Sequence, residues 1–194
     1  IDTSIFTRKY SASGEVLWTT EYRYYEDYTN NQVASIELFN NRIYVTGRVK
    51  DTITDYDVFL VCYDASDGDE LWRVSNNDNF DDRDWGNRVK VDNNGFIYVG
   101  GKSSAAPNNE YYLLKFNPEG NLLWTNRFRN DDFIINLFTN MVITENNNIV
   151  ISGLYYITVC FSSSGELLWN KTPPSNIPIN ISSDIVNGIL PLSD

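Results

Sequence analysis

The chain has 194 residues, enough for one ordinary domain with a sizeable buried core. Fifteen basic against 26 acidic residues give a net charge of −11, which argues against nucleic acid or an anionic membrane surface as partner. Histidine is absent, which excludes His-based acid–base catalysis, a His-assisted Ser or Cys nucleophile and His-ligated metals. The two cysteines, Cys62 and Cys160, cannot build an all-thiolate zinc site or a disulfide-dense scaffold.

In chain order, the first elements are two strands, Ser4–Tyr10 and Glu15–Glu21, joined by a Gly turn and carrying Trp18. Ala34–Phe39 then shows the partial alternation of a half-buried strand, and Asn40-Asn41 supplies the positive φ angles of a tight hairpin turn. The β-branched run Ile43–Gly47 follows, then a third strand Asp57–Tyr63, a Gly turn and a fourth strand with Trp72. The same series returns as Asn87–Val91, Phe96–Gly101, Tyr111–Phe116 and the Trp124 strand. It returns again as Thr139–Thr144, Ile149–Gly153, Tyr156–Phe161 and the Trp169 strand. The longest apolar run, Val58–Tyr63, is far too short to span a bilayer, so direct membrane insertion is not expected. Asn is frequent, at 25 residues, but the high aromatic content marks a folded chain.

Two motifs carry the repeat. In the first, an aromatic residue, a short polar stretch and a Gly are followed four positions later by a Trp: Gly14 and Trp18, Gly68 and Trp72, Gly120 and Trp124, Gly165 and Trp169. In the second, a β-branched or aromatic run ends at Gly47, Gly101 and Gly153. Trp-to-Trp spacings are 54, 52 and 45, and the second motif repeats at 54 and 52, so two independent patterns share one period. Tandem four-stranded antiparallel units of this length imply an all-β fold of β-propeller blades. The expected divisions are a partial blade at 1–32, blades at 33–85, 86–137 and 138–181, and the first strand of a further blade at 182–194. The expectation is an arc of a larger propeller, whose open blade edges would favour self-association. The four repeated Trp residues are read as packing between blades. Cys62 and Cys160, at equivalent positions of third strands, are read as buried small hydrophobes too far apart for a disulfide.

The stretch Tyr63–Trp72, preceded by Ile43–Gly47, resembles the repeat of quinoprotein-like β-propellers, in which such a turn docks each Trp on the neighbouring blade. The other copies keep the Gly and Trp without the Asp64-Ala65 pair and are equally similar to the looser repeats of bacterial cell-surface propellers. The resemblance implies the fold and includes quinone-cofactor dehydrogenases. Those need a complete ring of blades, a Ca2+ held by carboxylate and amide, and commonly a disulfide of adjacent cysteines, which this chain does not have.

The connections between blades, and between second and third strands, gather on one expected face. They hold half of the carboxylates, interleaved with aromatics. Trp85, Phe80, Tyr24, Tyr25, Tyr28, Tyr56, Asp81, Asp82 and Asp84 are the candidate binding residues. Trp85 stands out as the one Trp outside the repeat and without an evident packing role. Acid plus aromatic suits a protein surface, a glycan or Ca2+, whereas the plain alternative is a solvated loop set whose aromatics cover blade edges. Asp78, Asp81, Asp82 and Asp84 form the densest Ca2+ candidate, but lack the Gly and distal Glu of an EF-hand loop. Asn170 and Asn180 begin glycosylation sequons. The reading is a non-catalytic binding or scaffold module, extracellular, at the cell surface or periplasmic, with no required cofactor and with protein or glycan as partner. The alternatives are a segment of a quinone-cofactor dehydrogenase and a self-assembling or glycan-binding propeller.

Overall fold

The computed structural model describes residues 4–23, 31–50, 56–76, 83–104, 110–129, 138–153 and 157–172. All regular structure among them is β. A hairpin of β1 (Ile5–Tyr10) and β2 (Val16–Tyr22) is followed by three four-stranded antiparallel sheets, each a meander in chain order. The first holds β3 (Gln32–Phe39), β4 (Arg42–Val49), β5 (Asp57–Asp64) and β6 (Glu70–Asn76). The second holds β7 (Asp84–Val91), β8 (Ile97–Ser103), β9 (Glu110–Phe116) and β10 (Leu122–Phe128). The third holds β11 (Phe138–Ile143), β12 (Ile149–Gly153), β13 (Thr158–Phe161) and β14 (Leu167–Lys171). These are tandem β-propeller blades, as the repeat implies. Two compact units, Ile1–Val89 and Lys90–Asp194, divide within β7.

The hairpins form where the turn residues allow them. Asn40 and Asn41 both take positive φ (46° and 60°), the geometry that matches the strand twist of a two-residue hairpin. The turns before β8 and β12 use Gly95 and Asn147 instead. The middle strands are buried on both faces: every residue from Asp57 to Tyr63 is inaccessible, and so is nearly all of β9. That explains the continuous apolar run of β5. A strand covered by neighbours on both sides has no polar face to alternate with.

In the first unit, Phe59, Val61 and Tyr63 from one face of β5 pack with Ile5, Tyr22, Val45 and Val49, joining the β1–β2 hairpin to the first complete blade. In the second unit, Tyr98, Tyr111 and Leu113 pack with Phe138, Met141, Ile149, Ile151 and Val159, joining adjacent blades in the same way. Cys62 and Cys160 are buried free thiols on β5 and β13, as expected, and burial pushes the Cys62 thiol up to about 11.

The repeated Trp positions have a geometric cause that the motif alone does not disclose. In each fourth strand the register slips: Tyr10 pairs with Val16 but Lys9 with Trp18, leaving Leu17 as an extra residue. The same bulge isolates Leu71, Leu123 and Leu168. A bulge bends the strand and re-aims the next side chain. Here it puts each Leu outward, where all four are exposed, and turns the Trp across the blade.

Two dockings are resolved within units. In the first unit the Trp18 ring lies against Gly68, where a Cβ would come within 2.7 Å of ring carbons. Trp18 Nε1 and Lys9 Nζ both donate to the Ala65 carbonyl, at 3.3 and 2.7 Å. In the second unit Trp124 lies against Gly165 in the same manner. Lys115 Nζ donates to the Ser163 carbonyl at 2.7 Å, and Asn126 Nδ2 donates to the Gly165 carbonyl. Gly68 and Gly165 also hold φ of 84° and 89°, so glycine is required there twice over.

Candidate functional site

The site is built at the blade end opposite the Gly turns, where β4 finishes and β5 and β7 begin. β7 approaches β4 and β5 closely because Gly86 has no side chain; a Cβ there would meet Thr46 Oγ1 at 2.5 Å and both the Gly47 carbonyl oxygen and Val58 Cγ1 at 3.1 Å. The Asp84 amide donates to the Tyr56 carbonyl at 2.8 Å, tying the start of β7 to the start of β5. This tie sets the Trp85 and Tyr56 rings in a stack, with centroids 6.1 Å apart and planes 21° from parallel. Arg48 lies two residues beyond Thr46 and so shares its face of β4. Its guanidinium carbon is 4.6 Å from the Tyr56 centroid and 5.6 Å from that of Trp85. Lys50 Nζ adds a second cation 5.7 Å from the Tyr56 ring. Arg48, Lys50, Tyr56 and Trp85 are all half-buried, and their chain neighbours Asp57 and Asp84 are buried.

Of the candidate binding residues, the structure therefore brings Trp85, Tyr56 and Asp84 together. Phe80, Tyr24, Tyr25, Tyr28, Asp81 and Asp82 lie outside the described residues, as does Asp78 of the Ca2+ candidate. Two expectations are corrected. Trp85 and Asp84 do not sit in a connecting loop but on β7, which begins at Asp84. Trp85 also has a packing role, its stack on Tyr56, because Gly86 draws the strand inward. Asp84 is correspondingly buried, with 2% of its surface exposed, and is not a solvated loop carboxylate.

The acidic residues expected in the connections also change in character, each within its own unit. Four of those carboxylates, Glu21, Asp57, Asp84 and Glu110, fall among the described residues, and each is buried or paired. Asp57 and Asp84 are buried. Glu21 lies 2.9 Å from Arg23, whose hydrogen bond holds the carboxyl below its usual range. Glu110, in the second unit, is flanked by Arg127 at 3.5 Å and Arg129 at 3.8 Å. Arg127 also donates to Ser103 Oγ at 2.8 Å and stacks over Tyr112. Cations thus accompany the acids. The sequence pattern points only to acids and aromatics here, and Arg48 and Lys50 emerge from the structure. The signal was a basic residue directly after the repeat glycine, Gly47-Arg48 and Gly101-Lys102, in two blades.

Among the described residues no group of three or more Cys, Asp or Glu side chains is placed to hold a metal ion, and no helix is long and apolar enough to cross a membrane. Asn170 is exposed on β14, whereas Asn180 lies outside the described residues.

No protein-family model matches the chain, and no curated protein matches it. Among solved structures, one similar chain is the crystal structure of BamB from Moraxella catarrhalis, 12% identical, with a TM-score of 0.35; the match covers 82% of this chain and 56% of that one. This chain thus spans little more than half the length of that structure, and its likeness to quinoprotein-like repeats rests on Tyr63–Trp72 and Ile43–Gly47.

Proposed function

We propose that this chain is a non-catalytic β-propeller module that binds a protein ligand through the Arg48–Tyr56–Trp85 surface, outside the cytoplasm or in the cell envelope. The observation that carries the reading is the composition and order of that surface. A Trp and a Tyr stacked at 6.1 Å with an Arg across both rings present rigid, amphipathic area whose ordering cost is already met. Trp, Tyr and Arg are the side chains that dominate protein–protein binding energy when clustered. The guanidinium of half-buried Arg48 lies across both rings, so a cation is held in place for a carboxylate or carbonyl of a ligand. Lys50 adds charge of the same sign, which favours an acidic segment.

The test is a selection from displayed peptides with the wild-type chain, repeated with Trp85→Ala and Arg48→Ala. Enriched acidic peptides should lose about tenfold to thirtyfold in affinity on either variant, the size of a hot-spot truncation. Peptides that bind Trp85→Ala as tightly as wild type would remove the surface from consideration. A glycan array run in parallel covers the second reading, in which the exposed part of Trp85 stacks on a sugar. The quinone-dehydrogenase alternative is addressed by adding pyrroloquinoline quinone and Ca2+ and following dye reduction, which should stay at background.

A further inference from the structure

A row of three side chains crosses the second, third and fourth strands at the same register in each four-stranded blade. In the first blade it is Tyr44, Cys62 and Trp72, and in the second Tyr98, Lys115 and Trp124. Directly paired residues share one face of a sheet. In both blades the Tyr ring accordingly lies against the Trp ring, with centroids 6.0 and 6.1 Å apart and planes 50° and 58° from parallel. The third blade holds Val150, Cys160 and Trp169 at that register. Its Trp is kept, but the Tyr ring is replaced by an isopropyl group.

At that place there is a cleft of about 150 Å3, bordered by Val150, Cys160 and Trp169 and by Thr144, Glu145 and Asn148 of the turn before β12. The second blade, in the same unit, shows what fills the equivalent space. Its turn has the same bonds: the Asp92 amide donates to the Phe96 carbonyl at 3.0 Å, and the Thr144 amide to the Asn148 carbonyl at 2.9 Å. The Phe96 amide donates to Asp92 Oδ1 at 3.0 Å, and the Asn148 amide to Thr144 Oγ1 at 3.1 Å. Thr144, Asn148, Val150 and Cys160 therefore stand where the second blade has Asp92, Phe96, Tyr98 and Lys115. There the Tyr98 hydroxyl donates to Asp92 Oδ2 at 3.1 Å, and Lys115 Nζ lies 4.3 and 5.1 Å from the Phe96 and Tyr98 centroids. Phe, Tyr and Lys give way to the smaller Asn, Val and Cys on the same backbone turn, so the volume they fill in one blade stays open in the next. Val150 and Cys160 are buried and form its floor. A void of that volume admits one six-membered ring.

We infer that this cleft binds a phenolic ring, that of a tyrosyl side chain or of a small phenol, in the place that Tyr98 occupies in the second blade. Trp169 supplies the aromatic wall that Trp124 offers to Tyr98. Thr144, with Glu145 next to it, stands where Asp92 accepts from the Tyr98 hydroxyl, so the phenol finds its acceptor at the same end. The Cys160 sulfur takes the position of Lys115, and a sulfur beside an aromatic ring is a favourable contact. The cleft uses no residue of the Arg48–Tyr56–Trp85 surface, so the two assignments stand or fall separately.

The experiment is a ligand-observed NMR titration of the full chain with p-cresol, N-acetyltyrosinamide and methyl glucoside, for wild type, Val150→Tyr and Trp169→Ala. Both phenols should bind wild type saturably, with a Kd on the order of 1 mM for ligands of this size. Val150→Tyr restores from within the ring that the other two blades carry. It should abolish binding while leaving the melting temperature no lower than that of wild type. Trp169→Ala should weaken binding about tenfold or more; its side chain is exposed, so it serves if Val150→Tyr does not fold by circular dichroism. Tighter binding of N-acetyltyrosinamide would identify a tyrosyl residue as the source of the ring, tighter binding of p-cresol a free phenol, and either supports the inference. No saturable binding of either phenol, binding that survives both substitutions, or binding of methyl glucoside in preference to both phenols would each overturn it.

Discussion

At the residue scale, the glycines of the turns separate two effects that usually act together. Gly14 and Gly68 share a φ of 84°, but only Gly68 lies under a Trp ring. Alanine at Gly14 should therefore cost only the backbone term, about 1 kcal/mol. Alanine at Gly68 adds a Cβ at 2.7 Å from the Trp18 ring carbons and should cost about 2–4 kcal/mol. Urea unfolding of the two variants measures the difference directly, and equal losses would mean that the Trp18 contact contributes nothing. The same scale shows what reading residues in isolation missed. Trp85 has no evident partner in the sequence because Tyr56 lies 29 positions away, and a basic residue after a strand glycine, as Arg48 is, has no chemistry until an aromatic pair is brought under it.

At the element scale, the fourth strands explain a surface that would otherwise look misassembled. Leu17, Leu71, Leu123 and Leu168 are exposed although each stands beside a Trp in an apolar stretch. The cause is the bulge, which spends one residue on the outside so that the Trp can cross the blade. Leu71→Ala should thus change stability by no more than about 0.5 kcal/mol, as an exposed position does. Leu60→Ala, in the wholly buried β5, should cost about 2–5 kcal/mol. Denaturant midpoints for the pair check both; a large loss at Leu71 would show that the outward leucines are covered in solution.

At the scale of the whole molecule, the titration behaviour follows from what the chain contains and where it is buried. With no histidine, no side chain of ordinary pKa titrates near neutrality, so stability should be flat from about pH 6 to 8. Alkaline pH is different. Burial pushes the Cys62 thiol up to about 11 and the Tyr63 hydroxyl up to about 12, and raises Tyr98 and Tyr111 in the same direction. Below an ordinary value of 9.0 for Cys or 10.0 for Tyr, both states keep the proton and stability is undiminished. Above it the unfolded chain ionises first while the folded chain holds its protons, so stability falls as pH rises through about 9 to 12. Unfolding midpoints measured from pH 6 to 12 should therefore show a plateau and then a steep decline; a transition centred near pH 7 would contradict it.

The blade architecture was legible because it is periodic. A four-strand unit needs a tight turn, a buried strand and a docking Trp at set separations, and Asn40-Asn41, Val58–Tyr63 and the four Gly-to-Trp intervals wrote those needs into the chain repeatedly. Local rules of turn conformation and strand burial suffice to read them. The candidate site follows from no such rule. Arg48, Tyr56 and Trp85 come from three different strands or strand ends. What unites them is the close approach of β7 at Gly86, a packing event with no signature in spacing. The sequence by itself determined that there are blades and where each Trp must sit, because those are local and repeated. Only the tertiary structure decided which side chains share a surface, because adjacency between strands distant in the chain is settled by packing alone.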